Sequence, residues 1–416
     1  MKRALIFFIL FFAVLAARAQ DIENILKSKP LELEGGSMNL STVLYSSFAS
    51  PSQRDFFSFY ATGNLNVKLF GLAAPLSFNY TNRKVNYSQP FNNLSFAPRY
   101  KWIATRFGGQ NVNYSPYTMA GHNLNGASVE LTPGAWSIKM SYGRLNKVIL
   151  PDTLNNDYAV TSFKRIGKAM ALEYHWGGNR VYGTLFHGKD DVSSIPTIYY
   201  DADITPQENT AASLGLVKQL FGKFTLTSEL ATSLLTRDIT TAEQREISKQ
   251  QYYAYKSAVD YTGRGYRISA GYEKVDPGYL TLGGYYFNND LERITLGTTA
   301  ALYSGRVNIN TQIGRERNNL RNNETNTTER WVGSINSTIQ VSPTFTLSAN
   351  YSNFSAYTNI RPVVDQYYRD ELDTLNFYQV NQTASATANW RLGSKERPKT
   401  LAISTSLQKN RFFRVW

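Results

Sequence analysis

From residue 38 onward the chain alternates apolar residues with polar or small ones in runs of about ten, broken by short stretches rich in Gly, Pro and Asn. Trp136, Ile138, Met140 and Tyr142 form one row, and Ser137, Lys139 and Ser141 form the other. The same split recurs downstream. Val307, Ile309, Thr311 and Ile313 oppose Asn308, Asn310 and Gln312, and Trp331, Ile335, Ile339 and Val341 oppose Ser334, Asn336, Thr338 and Gln340. A period of two sends successive side chains to opposite faces of a strand. Rows of Asn, Gln and Ser with a mid-strand lysine are costly in a dry core, so the polar face is wet and the apolar face turns to lipid. The pattern predicts an all-β chain, a transmembrane antiparallel up-and-down β-barrel of about 16–18 strands.

The breaks set the connectivity. Eight short connections fall at 71–74, 132–134, 177–179, 220–223, 262–265, 303–305, 342–343 and 393–398. Gly, Pro and Asn there supply the backbone angles of tight hairpins. Eight longer, more polar connections alternate with them, near 47–55, 84–123, 146–167, 190–209, 237–250, 276–292, 317–328 and 358–375. Short periplasmic turns alternating with long extracellular loops are what a barrel requires. The count gives about seventeen strands between residues 38 and 410. An odd count leaves the strand at 399–410 ascending. Either the sequence stops before its final strands, or the count is wrong by one within 84–123.

The first residues direct export. Lys2 and Arg3 precede an apolar run from Leu5 to Leu15, and Ala17-Arg18-Ala19 supplies a small-x-small cleavage site. Residues 1–19 read as a signal peptide, 20–37 as a short periplasmic segment, and 38–416 as the barrel. No later stretch reaches the ~18 uncharged apolar residues of a membrane helix, so the membrane is crossed by strands.

Period-two bookkeeping names the wall. Lys139, Glu173, Arg267, Arg293, Asn310, Asn336, Thr383, Asn389 and Arg391 are candidates to line the lumen, and Ile138, Leu172, Ile268, Ile309, Ile335 and Ala384 to face lipid. Tyr174, Trp176, Tyr266, Tyr272, Trp331, Phe345, Tyr351 and Trp390 fall near strand ends on the lipid side, where rings bridge acyl and headgroup layers. Residues 84–123 are the least regular part. Within them Lys101, Trp102 and Arg106 are candidates for a constriction loop folded into the lumen; an ordinary outer loop with a local hairpin is the alternative.

Several stretches carry a family resemblance. Ala97-Pro98-Arg99-Tyr100-Lys101-Trp102, Ser115-Pro116-Tyr117-Thr118-Met119-Ala120-Gly121-His122, Val129-Glu130-Leu131-Thr132-Pro133-Gly134 with Tyr142-Gly143-Arg144, and Asp276-Pro277-Gly278-Tyr279-Leu280-Thr281-Leu282-Gly283 resemble an uncharacterised, porin-like family of outer-membrane barrels from Bacteroidota. The resemblance covers the first two thirds of the chain. It implies an outer-membrane barrel and carries over no functional residue.

Composition narrows the chemistry. The chain has 416 residues, no cysteine and a formal charge of +13, which falls to about +10 once Lys2, Arg3 and Arg18 leave. Disulfides and thiolate metal sites are excluded. Mean hydropathy is −0.36, which a barrel tolerates because half of each strand is polar. The positive excess suits anionic solutes in the lumen or lipid phosphates at the rims. The basic residues are scattered, which does not suit nucleic acid.

Only His122, His175 and His187 are available for acid–base or nucleophilic work. His175 shares the polar face with Glu173 near the 177–178 turn, His187 lies in the lipid row, and His122 sits in the irregular loop, so each reads as polar filler and no enzyme is expected. Asp190-Asp191, Asp201 with Asp203, and Asn288-Asn289-Asp290 put oxygen ligands in loops without the spacing of a defined calcium loop. No cofactor or metal is expected.

Two functions remain. One is a passive pore or channel for small polar solutes. The other is a structural barrel docking partners in an envelope secretion or assembly complex. The partners implied are outer-membrane lipid, lipopolysaccharide and, for the second, other envelope proteins.

Overall fold

The structure is a computed structural model that describes residues 29–46, 56–82, 92–150, 161–196, 204–285, 287–321, 329–359, 376–393 and 399–415. The signal peptide, Asp201 and Asp203 lie outside them.

The described residues form two compact units. The first contains β1 (Leu31–Leu44), β2 (Phe57–Leu69), β3 (Leu72–Ala73), β4 (Leu76–Thr81), β5 (Asn93–Phe96), β6 (Arg99–Tyr100) and β7 (Ile103–Val112) up to Gln110, with Asn125–Leu131 of a later strand. It is an antiparallel meander. β1 pairs with β2, β2 with β4, β4 with β5, and β5 with β7.

The second unit takes Asn111–Leu124 and everything described from Thr132 on. Its first pieces are β8 (Met119–Ala120) and the start of β9 (His122–Leu131). Next come β10 (Trp136–Asn146), β11 (Arg165–Trp176), β12 (Asn179–Asp190), β13 (Glu208–Leu220), β14 (Phe224–Thr236), the short helix α1 (Ala242–Ile247), β15 (Lys249–Gly263) and β16 (Tyr266–Val275). The chain continues as β17 (Gly283–Gly284), β18 (Leu291–Leu302), β19 (Val307–Arg317), β20 (Glu329–Ser342), β21 (Phe345–Asn359), β22 (Asn376–Leu392) and β23 (Lys399–Val415). From β10 to β23, leaving out β17, each strand pairs antiparallel with the next. The all-β, up-and-down antiparallel class expected from the alternation is what the chain adopts.

The tight turns fall where the small residues predicted them. Gly177 and Gly178 take φ of 48° and 81° between β11 and β12, Gly265 takes 83° after β15, and Gly305 takes 84° after β18, backbone that glycine adopts without strain.

Three boundaries differ from the sequence reading. β1 begins at Leu31, inside the stretch assigned to a periplasmic segment, because its first residues pair with β2, a bulge at Glu34 taking up the extra residue between Leu33 and Gly35. Residues 84–123 are not one loop. Two antiparallel strands, β5 and β7, form within them, so the count rises by two and the turns keep their sides. The last strand does not stop at Asn410; it stays paired with β22 through Val415.

In the second unit the two faces are sorted opposite to a water-soluble sheet. One carries Met170, Leu172, Leu185, Leu214, Leu230, Ile268, Ile294, Leu296, Ile335, Ile403 and Leu407, all exposed. The other carries Ser137, Ser141, Thr184, Asn209, Ser213, Glu229, Ser233 and Asp260, all buried.

Candidate functional site: a charged row sealed by two inward segments

Strand register places one level of the polar face in a continuous row. Ser137 lies opposite Glu173, Glu173 opposite Tyr182, Tyr182 opposite Gly215, Gly215 opposite Glu229, and Glu229 opposite Lys256. Lys256 then lies opposite Glu273, Glu273 opposite Arg293, and Arg293 opposite Glu316. Residues directly opposite in a ladder share a face. Nine adjacent strands therefore contribute to one belt, in which charge alternates in sign from Glu229 to Glu316.

The belt is internally bonded. Glu173 accepts from Lys139 Nζ at 3.2 Å and from Arg180 at 3.2 Å, with His175 Nε2 at 3.5 Å. Glu273 lies 3.9 Å from Lys256 Nζ and 3.8 Å from Arg293, and Arg293 Nε donates to Glu316 at 2.8 Å. Near the strand ends Asp260 pairs with Arg267 at 2.7 Å, and Arg165 grips Asp190 through Nε and Nη2 at 2.7 and 2.9 Å. Glu229 is held by hydroxyls: Tyr182 donates at 2.9 Å and Ser115 at 2.5 Å. Tyr182 reaches Glu229 by lying across β13, and Gly215 makes this possible. A Cβ at Gly215 would stand 2.1 Å from the Tyr182 ring.

Two segments fold onto this face. The first, residues 113–121, places the Ser115 hydroxyl on Glu229, the Tyr117 hydroxyl on Glu273 at 2.7 Å, and Thr118 Oγ1 2.8 Å from Thr184 Oγ1. Tyr117 is 1 % exposed. Its burial pushes the phenol above its ordinary pKa, and Glu273 adds to that, so it stays a neutral donor. The second, residues 276–285, lies against the first. Gly283 and Gly284 pair in parallel with Met119 and Ala120, and the buried Tyr279 hydroxyl donates to the Tyr117 carbonyl at 2.8 Å. Asn209 and Ser233 donate to the Leu280 carbonyl, and Leu282 N–H donates to Asn209 Oδ1 at 3.1 Å. Small apolar cores close the joint: Met119, Leu124, Phe186 and Leu282 in one, Tyr117, Leu235, Val275 and Tyr279 in the other. Beyond the segments the polar face is open, with Thr299, Asn310, Gln312 and Asn336 exposed.

Register puts all nine candidate lining residues, Lys139, Glu173, Arg267, Arg293, Asn310, Asn336, Thr383, Asn389 and Arg391, on this one face. Ile138, Leu172, Ile268, Ile309, Ile335 and Ala384 share the other, as do the eight aromatic residues assigned to strand ends. The constriction candidates are placed elsewhere than in the inward segments. Lys101 and Trp102 form the turn between β6 and β7, with Lys101 at φ 49°, and Arg106 is exposed on β7. They belong to the first unit. The inward residues of the same stretch are Ser115, Tyr117 and Thr118. Sequence reasoning missed them, together with Glu229 and the 276–285 segment. The signal was present, because the stretches from Ser115 and from Asp276 that carried the family resemblance are the two that pair.

The remaining candidates are structurally occupied. His122 is buried, its ring tilted 34° against Tyr285 with centroids 4.0 Å apart and Nδ1 2.8 Å from the Asn123 carbonyl. His187 Nδ1 is 3.0 Å from Thr210 Oγ1 on the apolar face. Asp191 caps a 3-10 turn by accepting from Ser193, and Asp290 accepts from the Asn319 and Leu320 N–H groups. Among the described residues no three His, Asp or Glu side chains are grouped to hold a metal.

No protein family and no curated protein matches the chain. Among solved structures, it is similar to Pseudomonas aeruginosa OccK5 (OpdH), at 10% identity and TM-score 0.43 over 92% of this chain and 97% of that one. It is similar to Pseudomonas aeruginosa OpdQ, at 10% identity and TM-score 0.41 over 93% and 97%. It is also similar to the outer membrane protein OprD from Pseudomonas aeruginosa, at 10% identity and TM-score 0.40 over 91% and 93%.

Proposed function

We propose that the chain is an outer-membrane β-barrel, of the Bacteroidota type its motifs resemble, and that it provides a narrow passive path for small polar solutes. The observation that carries this is the inverted sorting of the sheet. Leu214 and Leu230, opposite each other in mid-strand, are 62% and 58% exposed, while Glu229, one residue away, is 7% exposed. Exposed apolar surface on strand after strand costs roughly 25 cal/mol per Å² in water and nothing in hydrocarbon. Ionised groups are tolerated on the opposite face because those of the charged row are met by counter-charges or hydroxyls and water reaches the uncovered part.

The path is narrowed by the segment 113–121, clamped to Glu229 and Glu273, and by 276–285, which is held to the first segment and to Asn209 and Ser233. Its open stretch is lined by Asn, Gln and Thr, which select by size and polarity more than by charge. The chemistry of the face is binding and passage, and no residue is assigned a catalytic part. Purified protein in planar bilayers tests the reading. Ohmic, size-limited conductance supports it, and electrical silence with stoichiometric co-purifying envelope proteins supports the docking scaffold instead.

A further inference from the structure

The outward apolar face is not uniform along the strands. At the short-turn end it carries aromatic pairs, Tyr174 with Trp136 and with Trp176, Phe224 with Tyr261, and Phe345 with Trp390. Cations there stand in the turns at Lys223, Arg264 and Arg306, with two more in strands, Lys218 over the Trp176 ring and Lys399 at the start of β23. At the other end cations stand in the strands themselves. Lys168 on β11, Lys189 on β12, Lys249 on β15, Lys274 on β16, and Arg315 and Arg317 on β19 are all exposed on the outward face, and Arg245 of α1 is exposed beside Glu208.

Their height is informative. Lys168 and Trp176 share a strand and a face, as do Lys274 and Tyr266, and each pair is eight residues apart. At about 3.3 Å per residue this is roughly 26 Å along the strand, or about 20 Å along the membrane normal at a tilt near 40°, against an apolar band of ~25 Å. With the aromatic ring at one interface, the ammonium groups reach the other by extending their stems.

Beneath them the outward face is indented. A groove of about 590 Å³ is lined by Ala212 and Leu214 of β13, Leu230 and Thr232 of β14, and Tyr253 and Tyr255 of β15, with Lys274, opposite Tyr255, and Asp276 along its β16 side. It opens because Ala212 and Thr232, directly opposite each other, are small beside Leu214, Leu230 and Tyr253. Lys249 lies one strand and two rows above, and Lys189 and Arg245 flank Glu208, at 3.6 and 2.7 Å. Four carboxylates sit among these cations, one of them Glu246 of α1, which lines a hollow with Arg245 and Lys249. Glu208 is bonded as stated, Glu292 is bonded to Arg317 at 2.5 Å, and Asp276 accepts from the Tyr253 N–H at 2.9 Å.

We infer that β12–β16 carry a site for a phosphorylated, acylated lipid of the outer leaflet, lipid A of lipopolysaccharide, with an acyl chain in the Ala212–Thr232 groove and phosphate on Lys189, Lys249 and Lys274. Charge complementarity selects the occupant: an apolar groove headed by several ammonium groups at interface height fits a phospho-lipid and leaves a neutral lipid or an apolar protein face unmatched. The site rests on the outer-membrane reading but not on conduction.

Native mass spectrometry of the whole protein in mild detergent, titrated with lipid A and with its doubly dephosphorylated form, tests it. Wild type takes up one lipid A per chain in preference to the dephosphorylated lipid. The triple variant Lys189→Gln/Lys249→Gln/Lys274→Gln binds lipid A on the order of tenfold to a hundredfold more weakly. Thr232→Trp, which fills the groove and leaves the cations in place, loses the bound lipid as well. Equal uptake of both lipids, unchanged binding by the folded triple variant and Thr232→Trp, or full displacement by inorganic phosphate overturns the site. Because these residues face away from the polar row, conductance of the variants stays at the wild-type value, so failure of this site and failure of the channel are read separately.

Discussion

Leu214→Arg separates a membrane wall from a soluble sheet. Leu214 occupies the middle of β13, opposite Leu230, with 62% of its surface exposed. Were that surface in water, a leucine-to-arginine change would alter stability by no more than about 0.5 kcal/mol, the usual limit for exposed positions. In hydrocarbon at mid-depth the same change costs about 2–4 kcal/mol, a factor of roughly thirty to several hundred in the folding equilibrium at 1.4 kcal/mol per tenfold. Asn310→Arg is the control, because Asn310 is exposed on the polar face of β19. Urea titration of protein folded into phospholipid vesicles, followed by the shift in gel migration on heating, measures both. Leu214→Arg is expected to lower the folding free energy by the membrane amount while Asn310→Arg stays within about 0.5 kcal/mol of wild type. Equal, small effects for the two would refute the assignment of faces.

Further outcomes follow from the charged row. Tyr117→Phe removes the hydroxyl from Glu273; the loss of a hydrogen bond to a charged acceptor, about 1.5–3 kcal/mol, loosens residues 113–121 and appears as noisier, larger single-channel current. Because burial raises the Tyr117 pKa, its contribution to stability is complete below the unfolded tyrosine value near 10 and declines as pH rises beyond it, so gating noise is expected to be flat from about pH 7 to 9. Gly215→Val drives Tyr182 off Glu229 and costs about 1–3 kcal/mol by overpacking, measured by the same urea titration. Arg165→Met leaves the carboxylate of Asp190, 3% exposed, without its ion partner and is expected to cost about 3–5 kcal/mol, seen as a lowered melting temperature.

The sorting of the wall was legible because a period of two needs no knowledge of partners: once Lys139 and Ile138 take opposite sides, the ladder carries the assignment to Asn389 and Ala384. Turns were legible for the same local reason, as at Gly177-Gly178. What failed was non-local. Asn93-Leu94-Ser95-Phe96 alternates for only four residues before Ala97-Pro98, too short to stand out, and becomes a strand because β4 and β7 lie on either side of it. Ser115 and Tyr117 were passed over because only the folded chain shows which hydroxyls reach Glu229 and Glu273. Those two glutamates are unremarkable in sequence and belong to one belt only through the register of nine strands. The 276–285 segment was grouped with the outer loops because polar composition does not distinguish a loop that faces outward from one that folds in.

The absence of cysteine from the chain gives a clean background for the most direct test of an aqueous path along the polar face. Single cysteines at Asn310 and at its neighbour Ile309 are compared in planar bilayers during addition of a charged, membrane-impermeant thiol reagent. The account predicts a stepwise fall in current for Asn310→Cys and no change for Ile309→Cys; block at Ile309 alone, or no current from either protein before labelling, would contradict it.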